Sequence, residues 1–167
     1  ASKDTYITNK IINNSFRAKD ANVGQAGTLD LFKLHGETAL SGTSGPHTEL
    51  SRILIKFPIS EITRMQNNGD IDVTHSSFKC HVKLHDVYGG QTTPSNFTVA
   101  LFPLAQSFDE GVGRDIVEYS DVDSSNFITA SYSSGTTNKW NTEGAIKSGS
   151  LGTSNLDIYT EGKLGSG

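Results

Sequence analysis

Residues 78–87, FKCHVKLHDV, alternate with a period of two. Phe78, Cys80, Val82 and Leu84 fall on one side, and Lys79, His81, Lys83 and His85 on the other. That pattern fits a half-buried strand and not a helix. It predicts a core built from strands. The same alternation places Cys80 on the apolar side, as a small core residue and not a reactive thiol. It also separates His81 from His85 by about 13 Å along an extended chain, too far for both to ligate one zinc ion.

Other stretches have strand character: 4–9 (DTYITN), 28–34 (TLDLFKL), 51–59 (SRILIKFPI), 96–104 (NFTVALFPL) and, more weakly, 115–120 and 156–160. In 51–59, Ile53, Ile55 and Phe57 alternate with Arg52, Leu54 and Lys56, and Pro58 ends the ladder of donors. The matching periods predict that Cys80, Val82 and Leu84 share a core with Ile53, Ile55 and Phe57, so that Val82→Asp would be severely destabilising. One short helix is expected at 60–66, with Ser60 as cap and Glu61 in its first turn, and a second could start near Ser124. Residues 35–50 and 131–155 read as loops rich in Gly, Ser, Thr and Asn.

The chain has 167 residues, 34% of them hydrophobic, and 17 glycines, enough for one domain with a real core and many turns. A net charge of -4 without a basic block gives no footprint for nucleic acid. No apolar run approaches a membrane span. The opening ASKDTYIT is polar and reads as a mature start after Met removal. A single cysteine rules out an internal disulfide framework.

Enzyme motifs are missing. There is no G-x-S-x-G elbow, H-E-x-x-H pair or Walker sequence. GVGRD contains G-x-G but lacks the third glycine and the βαβ setting of a dinucleotide site. Asp109 and Glu110 are adjacent, so on a strand they point to opposite faces and make a poor glycosidase pair. His35, His47 and His75 show no ligand spacing. The metal candidates are Asp121 and Asp123, whose i,i+2 oxygens, followed by Ser124 and Asn126, could wrap Ca2+. Asx turns and helix caps explain the same residues without a metal. No cofactor is therefore expected, with calcium as the alternative.

Several segments together resemble virion structural proteins of tailed bacteriophages. DTYITN, SFRAKDANVGQAGTLDLFKL and SRILIKFPIS are similar to the first half of such proteins, and FDEGVGRD, YSDVDSSNFITAS and KWNTEGA to the second. Their order is also that of jelly-roll modules of the DNRLRE kind. There an arginine opens a strand before an apolar run, and an acidic-glycine segment and a Trp follow. Arg52 and Trp140 occupy those places, while Phe108 stands where the aromatic before the acidic-glycine step is usually Trp.

The resemblance implies an all-β, jelly-roll-type β-sandwich over 1–167, with long loops and at most one or two short helices, short of C-terminal strands. It implies a non-enzymatic structural component of a phage virion (tail, neck or capsid surface). Such a component would be located in the virion and bound to other virion proteins and to further copies of itself. The alternative it implies is a carbohydrate-binding module touching a host-surface glycan. That alternative needs exposed aromatic rings, and Tyr88, Tyr132, Trp140 and Tyr159 are the ligand-binding candidates. In either case FDEGVGRD is expected to leave a core strand at Phe108, turn at Gly111 and Gly113, and carry its acids in a solvated loop.

Overall fold

The computed structural model describes residues 2–36, 47–87, 98–117 and 123–160. The architecture is mainly β, with one short helix among the described residues. Its longest strand, β5 (His47–Lys56), lies between β1 (Lys3–Thr8) and β4 (Lys33–Gly36), both antiparallel to it. Around this sheet sit three two-stranded pairs. These are β2 (Ile11–Ile12) with β3 (Phe16–Arg17), β6 (Thr129–Ser133) with β7 (Thr136–Lys139), and β8 (Ser148–Gly149) parallel to β9 (Ile158–Tyr159).

Residues directly opposite in an antiparallel ladder share a face. Thr5 faces Leu54 and Ile7 faces Arg52. Thr5, Ile7 and Leu54 are buried, so this is the face the core covers. Phe108, Ala130, Trp140 and Ala145 pack over it, joined by Leu104. The expected inner face of β5 is thus corrected. Leu54, not Ile53 and Ile55, enters the main core, and Phe57 lies beyond the strand, 52% exposed. The run Ile53-Leu54-Ile55 is apolar on both sides, so period two could not choose between them.

The strand expected at 78–87 is also corrected. These residues are in no ladder with the described residues, and Cys80, Val82 and Leu84 are exposed. Helix α1 (Ser60–Asn68) forms where expected and ends at Gly69, whose φ of +78° supports a Schellman-type stop with Gly69 N–H on Gln66 O and Asp70 N–H on Met65 O. Its first turn pairs Glu61 with Arg64. Ser60 is not the cap: Ile59 holds that position, without a side-chain bond. No residue of the helix is fully buried. Near Ser124 there is no helix, only turns leading into β6. Of the strand expected at 96–104, residues 98–104 contribute only isolated bridges, one of them Leu104 with Ile158. Residues 115–117 are outside strands, and 118–120 lie outside the described residues.

Two hairpins sit where turn chemistry put them. Asn13 and Asn14 take positive φ between β2 and β3, as Asn tolerates. Ser134 and Gly135, both at positive φ, link β6 to β7 in the manner of a type I′ turn. That second hairpin falls inside 131–155, a stretch too rich in Ser, Thr and Asn to show a hydrophobic period.

Candidate functional site

The acidic-glycine segment is part of the scaffold. Phe108 is buried in the core as expected, and the acids after it are tied to other elements. Asp109 accepts from the Tyr132 N–H and lies 3.6 Å from Lys3 Nζ. Glu110 Oε1 accepts from the Asp4 N–H at 2.9 Å.

Asn22 is the centre of this arrangement. It is fully buried, and its amide uses its whole hydrogen-bond capacity. Nδ2 donates to the carbonyls of Glu110 and Ser125, each at 2.8 Å, and Oδ1 accepts from the N–H groups of Gly24 and Gly113. The chain around Asn22 therefore passes residues 110–113 at backbone contact. A Cβ on Gly113 would sit 1.8 Å from the Asn22 carbonyl oxygen, and one on Gly24 1.8 Å from that of Glu110. Gly113→Ala is expected to lower stability by several kcal/mol, on the order of 3. Gly27→Ala, with open space around it, should be nearly neutral. Thermal melts of the two variants check this.

A second buried anchor is Asp157. No part of its side chain reaches solvent. Oδ1 accepts from Gln106 Nε2 at 2.9 Å and from the backbone and side-chain nitrogens of Asn141 at 2.7 and 3.3 Å. Oδ2 accepts from the backbone N–H groups of Thr142 and Lys147 at 3.0 and 2.9 Å. The carboxylate thus binds three chain segments through neutral donors. Two of its partners, Gln106 and Asn141, also line an open surface cleft of about 560 Å³, together with Asn138, Lys139, Asn155 and Tyr159.

The three described aromatic candidates do not form one exposed platform, since Trp140 is buried. Trp140 is buried in the core and donates its indole N–H to Asn126 O at 2.9 Å. Tyr132 is exposed on β6, and half-buried Tyr159 lines the cleft. Tyr88 lies outside the described residues, as does Asp121 of the metal pair; Asp123 is exposed. Among the described residues no group of three or more His, Cys, Asp or Glu could hold a metal ion. No described helix is long and apolar enough to cross a membrane.

Arg52 is partly buried beside Gly144, and its Nη1 is buried without a hydrogen-bond acceptor among the described residues. Burial pushes its pKa down. Sequence reasoning singled out Arg52 and Trp140 through a resemblance, and it missed Asn22 and Asp157. A lone Asn two residues before a Gly and a lone Asp in a weak strand carry no spacing that marks them.

No protein-family model matches the chain, and neither does any curated protein or solved structure.

Proposed function

We propose that this chain is a non-enzymatic structural component of a tailed-phage virion, a tail, neck or capsid-surface subunit that acts through subunit–subunit contacts. Its finer fold on this reading is a jelly-roll-type sandwich, and its partners are other virion proteins and further copies of itself. The resemblance of the quoted segments supports this. So does the use of Asp109, Glu110 and Asp157 as scaffold acceptors and not as a reactive pair.

One observation carries the reading. Residues 57–87 present Phe57, Ile59, Val82, Leu84 and Val87 to solvent, and no residue of α1 within them is fully buried. A soluble monomer rarely exposes so much apolar side chain in one stretch; such surfaces belong to interfaces. The period-two pattern of 78–87 is that of a strand, yet it has no ladder partner among the described residues. A neighbouring subunit can supply that partner by strand addition.

The double variant Val82→Asp, Leu84→Asp tests this. Because both side chains are exposed, the isolated chain should melt within about 2 °C of wild type. In sedimentation velocity, wild type should associate as its concentration rises and the variant should not. A wild-type chain that stays monomeric at high concentration, or a variant that associates equally, would overturn the reading. Carbohydrate binding, the alternative, is a separable property, since a virion subunit can also hold a glycan.

A further inference from the structure

We propose that Lys79 and Lys83 are a processing site for a protease that cuts after basic residues, carried on an arm whose cleavage leaves the rest of the molecule folded. Residues 57–87 are that arm. None of them is buried, and Ile62, Met65, Gln66, Ile71 and Phe78 are the half-buried ones. Its order is local. The Val73 N–H donates to Gln66 Oε1, the Thr74 N–H and hydroxyl to Asp72 Oδ1, and the Phe78 N–H to the His75 carbonyl. Among the described residues, both core clusters are built from 7–54 and 104–145, on either side of the arm.

Exposed chain outside helices and ladders is where proteases cut first, because it enters their cleft without unfolding. Residues 79–87 are exposed throughout and in no ladder with the described residues. Other cations are held. Arg64 is inside α1, paired with Glu61. Arg114 lies between Gly113, tied to Asn22, and Ile116, packed on Ile12, Ala18 and Ala21. Lys147 gives its N–H to buried Asp157. Each cut adds one water across a peptide bond. It leaves a carboxylate on Lys79 or Lys83 and an amine on Cys80 or Leu84.

The halves stay interlocked after the cut. Ile7 and Leu54 of the first pack with Phe108, Ala130 and Trp140 of the second. Asn22 bonds Glu110, Gly113 and Ser125, and the Asp4 N–H donates to Glu110. Cutting at both lysines releases 80–83, and Val82 with it. Processing is then an off switch for association, a step that rests on the subunit contact proposed above for 78–87.

The test is limited digestion of the whole chain with trypsin, with fragments mapped by mass spectrometry. Between residues 2 and 160, cuts after Lys79 and Lys83 should come first, about tenfold faster than any other. The halves should co-elute with the emission of Trp140 unshifted. The nicked particle should sediment as a monomer at a concentration where the intact chain associates. Lys79→Gln, Lys83→Gln should stay whole over the same period. First cuts elsewhere, halves that separate, or emission moving to that of the urea-unfolded chain would overturn the processing site. A nicked particle that associates as the intact chain does overturns the switch alone. An intact chain that stays monomeric overturns the subunit contact and the switch together, and the fragment map still decides the processing site.

Discussion

Asp157→Ala is expected to remove on the order of 5 kcal/mol of stability, enough to unfold much of the population at room temperature. The side chains of Gln106 and Asn141 can turn toward the cleft and find water once the carboxylate is gone. The backbone N–H groups of Asn141, Thr142 and Lys147 are held by the chain and stay aimed at the place the carboxylate leaves. Each buried donor left without an acceptor costs about 1–3 kcal/mol, and three are stranded together. Asp157→Asn should recover only part of the loss, since its NH2 would face other donors. Urea denaturation followed by circular dichroism reads the effect. A loss below about 1 kcal/mol for the alanine variant would mean that the carboxylate is not the anchor described here.

The second large effect is expected at Asn22. Asn22→Ala removes four hydrogen bonds at once and leaves two carbonyls and two N–H groups facing a void. A loss of about 3–4 kcal/mol follows at roughly 1 kcal/mol or slightly less per bond. Asn22→Asp is the sharper experiment. It keeps the acceptor toward Gly24 and Gly113 but turns an oxygen toward the carbonyls of Glu110 and Ser125. A buried carboxylate facing two carbonyl oxygens is repelled and unpaired, so Asp should be no better than Ala. An Asp variant as stable as wild type would show that the two Nδ2 bonds contribute nothing.

These two residues show where the sequence was readable and where it was not. Strands β1 and β5 and helix α1 have strong local signals, β-branched runs and a Gly stop, and they form near the expected places. Gly111 and Gly113 were expected as turn residues; only a bend at Val112 lies between them, and both glycines are needed because the chain passes close against Asn22, an approach with no local mark. The reading failed where pattern and partner part company. Residues 78–87 have the alternation of a strand, but a strand also needs a neighbour, and none of the described residues supplies one. The β6–β7 hairpin failed in the opposite way. It has partners, but its Ser- and Thr-rich sequence buries only Thr129 and Ala130, so no period marks it.

Of the ring candidates, Tyr159 lines the cleft. Its wall of amides is assembled from residues 106 to 159 around one buried carboxylate, and long-range convergence of that kind leaves no local trace. Trp140, singled out for its exposed-ring potential, is in the core because its indole N–H finds the Asn126 carbonyl there and its ring fills space beside Ile7 and Leu54.

The most direct measurement is electron microscopy of purified phage particles labelled with gold-tagged antibody raised against this chain. If the chain is a virion subunit, gold should mark repeated positions related by the particle's symmetry, on the tail, neck or capsid surface. Particles that carry no label above background, while infected-cell extracts contain the chain in soluble form, would contradict a structural role in the virion.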